Sequence, residues 1–386
     1  MEKFNFVVLA PNRWDDVWMN RQHIFSIIGK DHNVIYSNAP PFYWDLKLPR
    51  VKKSPLLGRT TERDNVFNLE CAKIIPRVPK LKLYDKLVKN NFCRQIERHL
   101  DPELKTVLYI FNPLYSEYQD DINADFIVFH PYDDFTKLYS DDIAIAGNKR
   151  LAETANLVIT TSALLEKNYK EMTKNVYFVP NGVDYNLFSK NYKKAKGVSH
   201  SQGFKVGYTG SINSKIDIKL LAEIFSQLPE IEFYVVGAEG RIDPFQKPHM
   251  EQLKSLPNIT FLGNKDLSDV PTYMNAMDIN IIPYRTDPES FANAGYPLKL
   301  HEYLAVGKPI ICSPIDSAFE FEHVLQIRAD AAGWITAIKS IQHNKQEYSN
   351  TAVEKRRSVA EQNTWNSRAE KVLELISDMV SRTVKR

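Results

Sequence analysis

Short runs of consecutive apolar residues alternate along this chain with longer stretches whose apolar positions recur every three or four residues. Runs of the first kind predict strands buried on both faces, and the second kind predicts helices packed by one face. Residues 4–10 read as the first strand, ended by Pro11 and Asn12. RWDDVWMNRQHIF then leads through a turn into a helix running to about Gly29, and residues 33–37 read as the second strand. Strand, helix, strand at that spacing opens a βαβ arrangement with a parallel sheet. Further strands are expected at 106–111, 126–129, 157–161 and 176–179, and the turn PNGVD at 180–184 closes this half.

The segment 189–203, SKNYKKAKGVSHSQG, is polar, basic and aperiodic, and it reads as a linker. The alternation then restarts with FKVGYTG, a helix through KLLAEIFSQL, IEFYVVG, a helix near 250–256, ITFLG, a helix ending at Met277, and DINIIPY. In the stretch YPLKLHEYLAVGKPIIC, Leu300, Tyr303 and Leu304 fall on one helical face, Gly307 and Pro309 stop the helix, and PIIC ends in a short strand. This is a second Rossmann-like domain. TWNSRAEKVLELISDMV reads as a terminal amphipathic helix. The expected division is a domain over 1–188, a linker over 189–203, a domain over 204–363, and the terminal helix over 364–386.

Residues 40–105 break the alternation. LKLPRVKKSPLLGR and AKIIPRVPKLKLYDKLVKNNFCRQIERHL interleave Lys and Arg with leucines, with an amphipathic helix expected over 81–100. Such a segment fits either an anionic membrane surface or a solvated helix face beside a long loop. The chain as a whole carries only +3 over 386 residues, too little to imply nucleic acid. Hydrophobic content of 43% and charged content of 25% fit a soluble globular protein of about two domains. The apolar run at the start is too short for a signal sequence, and no stretch is long enough to span a bilayer. Cys71, Cys93 and Cys312 have no metal-ligand spacing, and their odd number gives no disulfide framework. A cytoplasmic protein is expected, peripheral on the inner membrane face if the basic segment binds lipid.

Ligands of open parallel sheets collect beyond the C-terminal strand ends. After the first strand that region holds Trp14, Asp15, Asp16, Trp18, Arg21 and His23, with helix capping by Asp15 or Asp16 an equal alternative. After the strand 126–129 it holds His130, Asp133 and Asp134, where paired carboxylates beside a histidine favour chemistry over a capped turn. In the second half Gly210 and Gly237 each follow a strand, which permits close backbone approach to a phosphate. Lys299 adds a full charge in the first turn of its helix. Glu302, one turn later on the same side, can accept hydrogen bonds from a sugar diol. An ordinary surface pair is the plain alternative. Neither G-x-G-x-x-G nor G-x-x-x-x-G-K-[ST] occurs, which argues against a dinucleotide site and a P-loop kinase.

Two Rossmann-like domains, a linker and a terminal helix able to cross back make the pattern of GT-B glycosyltransferases, α/β proteins whose parallel sheets face each other across a cleft. PNGVDYNLF, GYTGS, the strands ending in VVG and FLG, and PLKLHEYLAVGKPII resemble the family-4 nucleotide-sugar glycosyltransferases in order and spacing. That resemblance reaches back to about Phe126. WDDVWMNRQHI resembles bacterial cell-surface polysaccharide transferases, including teichuronic-acid-type enzymes, and FHPYDD is similar to inverting exopolysaccharide glucuronosyltransferases.

The resemblance implies a donor that is a nucleoside diphosphate sugar, uridine-linked, and an acceptor that is a surface polysaccharide or lipid-linked glycan, with no metal or other cofactor. It implies that Lys299 grips the diphosphate and Glu302 the ribose, with Gly210, Ser211, Lys215, Gly237, Gly263, Tyr284, Pro297 and Leu298 around the donor. It implies a base at Asp133, ahead of Asp134, His130 and Asp16, with the residues after the first strand on the acceptor. Two positions depart from the pattern. Ala294 stands where a glutamate is usual, and Ser211 where an arginine follows the glycine, while Lys215 is one residue out of register for the loop lysine. The missing glutamate leaves retaining and inverting transfer both open. A sugar-nucleotide 2-epimerase of the same architecture and a non-catalytic sugar-nucleotide-binding protein are the alternatives. The basic, leucine-bearing segment argues against the first, and Lys299 with Glu302 against the second.

Overall fold

The structure is a computed structural model describing residues 2–139, 141–190 and 192–384. The chain divides into two compact units, one of Met1–Pro180 with Trp365–Arg386 and one of Asn181–Thr364.

The first unit is built on an eight-stranded sheet in the order β3-β4-β2-β1-β5-β6-β7-β8. Its strands are β1 (Phe4–Leu9), β2 (Asn33–Ser37), β3 (Arg59–Arg63), β4 (Val66–Glu70), β5 (Lys105–Ile110), β6 (Phe126–Phe129), β7 (Leu157–Thr160) and β8 (Val176–Phe178). All pairings are parallel except β3 with β4. Every residue of β1 is buried, as a central strand covered on both faces requires. The helix Asn20–Ile28 follows it, and His23 on that helix stacks on Trp365 of the terminal helix Trp365–Val384, centroids 4.7 Å apart.

The hairpin β3–β4 lies inside the segment expected to be irregular. Its turn is Asp64–Asn65, both with positive φ (52° and 62°), the twist-matched form of two-residue turn. The amphipathic helix expected over 81–100 spans Lys82–Glu97. Two cations of this basic segment are already paired: Arg77 is buried against Asp85 (2.5 Å) and Glu117 (3.0 Å), and Lys89 reaches Glu117 and Asp121.

The second unit holds the parallel sheet β11-β10-β9-β12-β13-β14. These strands are β9 (Lys205–Thr209), β10 (Glu232–Val236), β11 (Ile259–Gly263), β12 (Ile279–Ile282), β13 (Ile310–Cys312) and β14 (Gln326–Ile327). The helix Leu298–Val306 ends as its sequence predicts, at Gly307 in the left-handed region (φ 88°) with its N–H on the Tyr303 carbonyl.

Two expected boundaries are corrected. Residues 181–188 belong to the second unit, where Asn181 donates to the Tyr296 carbonyl (2.6 Å) and Val183 bridges Thr364. The segment 189–203 is not a free linker. Ala195 and Val198 are buried with Tyr234, Val236, Tyr273 and Met277, and the Ser199 amide donates to the Tyr234 hydroxyl (2.9 Å). Two small apolar residues among lysines anchor it, too few to show as periodicity. Among the described residues no helix is long and apolar enough to cross a membrane.

Candidate functional site

In the second unit β9 and β10 end side by side on two glycines. Gly210 (φ 137°) and Gly237 (φ 148°) occupy backbone conformations that side chains disfavour. A Cβ at 237 would lie 2.2 Å from the Gly210 carbonyl oxygen, so the two loops touch backbone to backbone. The Gly210 amide bonds the Val236 carbonyl (2.8 Å), and the Gly237 amide bonds that of the exposed Gly263 (3.0 Å).

Lys299 reaches over this pair from the first turn of Leu298–Val306, with Pro297 at the N-cap and no side chain capping the free amides. Its Nζ would come within 3.3 Å of a Cβ on Gly210. The ammonium donates to the Tyr284 hydroxyl (2.9 Å) and lies 5.1 Å and 5.0 Å from the ring centroids of Tyr208 and Tyr284. Among the described residues no carboxylate forms an ion pair with it. Burial acts to lower its pKa, but the phenols of Tyr208, Tyr284 and Tyr303 overrule this and hold it well above the ordinary lysine value. The plain alternative of an ordinary surface pair does not hold: Lys299 is half-buried in a cage of aromatic hydroxyls. Tyr303 is itself fixed by accepting from the Thr209 amide (2.9 Å).

Glu302 is half-buried, and no described residue hydrogen-bonds its carboxylate. Burial pushes its pKa up to about 7 against the pull of Lys299. A carboxylate poised there has its acceptor capacity free for a diol. Lys215 lies with its ammonium 4.9 Å from the Phe291 ring centroid, and the exposed Ser211 contributes its carbonyl to the Tyr208 hydroxyl.

In the first unit the residues expected at the acceptor scatter into different tasks. Trp14 is in the core, donating to Asp64 (3.0 Å) and packed edge-on to Trp18 and Tyr36. Asp15 pairs with Arg63, and Asp16 accepts from the Arg13 amide (2.9 Å) as a turn cap. His23, stacked on Trp365 and pushed down to about 4 by burial, is a packing residue. Arg21 lies buried over the Tyr132 ring.

Beyond β6, His130 is fully buried with Nδ1 2.7 Å from the Tyr109 hydroxyl. Burial, aided by Arg21, pushes it down to about 3, so it stays neutral and is removed from the acid–base candidates. Asp134 caps the helix Phe135–Leu138, accepting from the Thr136 amide (3.1 Å) and hydroxyl (2.5 Å). Asp133, one residue earlier, is buried in the same turn. A cavity of about 370 Å³ opens nearby, lined among others by Asp16, Asn38, Phe42, Trp44, Asn112 and Tyr139.

Residues 203–344 match the family model of the glycosyl transferases group 1. The chain is 33% identical over 230 residues to TuaH of Bacillus subtilis (strain 168), a protein named as a teichuronic acid biosynthesis glycosyltransferase. That alignment covers 56% of this chain and 55% of the relative, so the chain spans about half the length of the curated relative it matches. Sucrose-phosphate synthase from Thermosynechococcus elongatus superposes with a TM-score of 0.72 at 16% identity, covering 99% of this chain and all of that one. Anabaena HepE, solved in complex with UDP-glucose, gives 0.65 at 15%, covering 98% and 100%. The fold is that of the GT-B glycosyltransferases.

Sequence reasoning placed Lys299 and Glu302 on one helix face but missed Tyr208 and Tyr303, which build the cage. Tyr208 reads as one more apolar position of β9, and its strand-end place beside a glycine was the available signal. Asn38, Phe42, Trp44, Asn112 and Tyr139, which line the cavity of the first unit, come from three separate stretches and share no local pattern.

The raised Glu302 pKa has a consequence for stability. Between about 4.5 and about 7 the folded state binds more protons than the unfolded one, so stability falls as pH rises through that window. Glu302→Gln removes this contribution. Without nucleotide, the variant should melt at or above the wild type at pH 8, with the gap closing toward pH 5. Parallel melting-temperature curves across that range would show that the carboxyl is not held in this way.

Proposed function

We propose that the chain is a glycosyltransferase moving a sugar from a nucleoside diphosphate sugar, uridine-linked, to a bacterial surface polysaccharide or lipid-linked glycan. The observation that carries this reading is the Lys299 ammonium, unpaired with any described carboxylate, over the Gly210–Gly237 contact at an uncapped helix start. The match of residues 203–344 and the name of the Bacillus relative support it, as does the UDP-glucose in the Anabaena complex.

In this reading the diphosphate lies against the amides of residues 298 and 299, and Lys299 offsets the charge that grows on it as the glycosidic bond breaks. Glu302 takes the ribose diol. The reading invokes no resident metal. Lys299→Ala should cost about 2–4 kcal/mol in kcat/KM, the range for one electrostatic donor, and should weaken stabilisation by UDP. A folded variant with near-normal turnover would reject the assignment.

Asp133 is the base this reading assigns for an inverting transfer, since His130 is held neutral and Asp134 is engaged as a cap. Asp133→Asn should leave the melting-temperature rise with UDP intact and lower turnover about 10²–10⁴-fold. Retention of the donor's anomeric configuration in the product, with an active Asp133→Asn enzyme, would remove that role.

The basic segment of the first unit is proposed to rest on an anionic membrane. Leu56, Leu57, Leu81, Leu83 and Leu87 are each at least 60% exposed, and Lys52, Lys53, Lys80 and Lys82 are exposed among them. The Lys73 amide bonds the Pro55 carbonyl (3.1 Å), which brings the stretches around 55 and 74 together. The protein should co-sediment with anionic vesicles at low salt and less at high salt, as screening requires. Replacing the four lysines by Gln should reduce binding. Absence of binding at low ionic strength would return these residues to a solvated face.

A further inference from the structure

Arg21 follows β1 in the first turn of the helix Asn20–Ile28 and is only 4% exposed. Its guanidinium carbon lies 4.4 Å from the centroid of Tyr132 and 5.6 Å from that of Phe111. Nε and Nη1 are enclosed and make no hydrogen bond. No described carboxylate forms an ion pair with it. The other buried arginines of the fold are treated differently. Arg77 has Asp85 and Glu117, and Arg356 has Glu347 with the carbonyls of Gly307 and Glu347. Taking a charge out of water without a partner is strongly unfavourable, and a fold retains it where a ligand completes the pairing.

A second unmatched group lies against the same ring. His130 stacks on Phe111 with centroids 4.8 Å apart, and its Nε2 is enclosed without a partner. The Tyr109 hydroxyl 2.7 Å from Nδ1 can donate there, which leaves the proton of the neutral imidazole on Nε2. Two donors, one of them fully charged, thus lack acceptors beyond the ends of β1, β5 and β6. The planar fork of a guanidinium suits a carboxylate or phosphate, whose two oxygens take two N–H groups at once. A neutral hydroxyl satisfies one donor and leaves the charge unmatched.

We propose that Arg21 is the receptor for an oxyanion of the acceptor, so that the glycan this protein extends carries a carboxylate or phosphate at the group held beside Tyr132. This rests on the glycosyl-transfer reading for the word acceptor, but the oxyanion site stands on its own geometry. The Tyr132 ring, its centroid 4.4 Å from the guanidinium carbon, backs the fork.

The test measures melting temperature and calorimetric affinity at constant ionic strength with inorganic phosphate, glucuronate and glucose, using wild type, Arg21→Met and Arg21→Lys. At least one anion should stabilise the wild type where glucose does not. A response to glucuronate alone assigns a carboxylate, and a response to phosphate alone assigns a phosphate. Arg21→Met should lose about tenfold or more in anion affinity, the scale of a charge-assisted bidentate contact, while melting at or above the wild type without ligand. Wild type indifferent to both anions would overturn the proposal. So would Arg21→Met melting well below wild type with its anion affinity unchanged, since the arginine would then be structural. If Arg21→Met does not fold, Arg21→Lys decides: a several-fold loss of anion affinity supports a bidentate site and an unchanged affinity rejects it. Stabilisation by UDP is followed in parallel. Anion binding through Arg21 in a protein that ignores UDP would sink the glycosyl-transfer reading and leave the oxyanion site in place.

Discussion

The Gly210 carbonyl leaves no room for a side chain at position 237. That contact lets the ends of β9 and β10 close on each other, and it exposes a patch of bare backbone at the C-terminal end of a parallel sheet. Lys299 can lie over the patch because nothing projects from it. The amides at the start of Leu298–Val306 face the same space because Pro297 supplies no capping side chain. A helix start, an ammonium and two glycine loops converge through sterics first and charge second. Replacing either glycine would act on the site by moving backbone before it altered any electrostatic term.

The ammonium at this place is unusual in its company. Buried lysines ordinarily find a carboxylate or lose their proton. Lys299 does neither, because Tyr208, Tyr284 and Tyr303 surround it with hydroxyl oxygens and ring faces. Such a cage keeps the charge without neutralising it, so the field of the lysine remains available to an incoming anion. Glu302 is the complement, a carboxyl near its titration point that can take up charge when a diol arrives.

How much of this was legible in the sequence depends on how each element is covered. The inner strands announced themselves because strands buried on both faces are unbroken apolar runs, as in β1. β3 did not, since four of its five residues are exposed and its pattern is that of a loop. Its turn residues Asp64 and Asn65 were the missed signal. The segment around Ala195 and Val198 was read as a linker because composition averages over the two residues that anchor it. Lys299 and Glu302 were found through local helical spacing. Of the tyrosines that give Lys299 its character, Tyr303 shares its helix, but Tyr208 on β9 and Tyr284 just beyond β12 are distant in sequence, and only tertiary folding places them. In the first unit, proximity to a strand end proved a coarse guide. Of the residues grouped there, Trp14 and His23 serve packing, Asp15 serves an ion pair and Asp134 a cap, while Arg21 and His130 keep unsatisfied nitrogens.

The first unit is assembled from two pieces of chain separated by the whole of the second. His23 stacks on Trp365, and the helix that carries it packs along the last helix. On a ribosome, residues 1–180 emerge with that face bare, and the second unit must be made before Trp365 exists to cover it. The second unit is continuous in sequence and can close as it is synthesised. Biosynthesis therefore favours an order opposite to the order of translation: the half made later can close first, and the half made first waits for Trp365–Val384 to cover it.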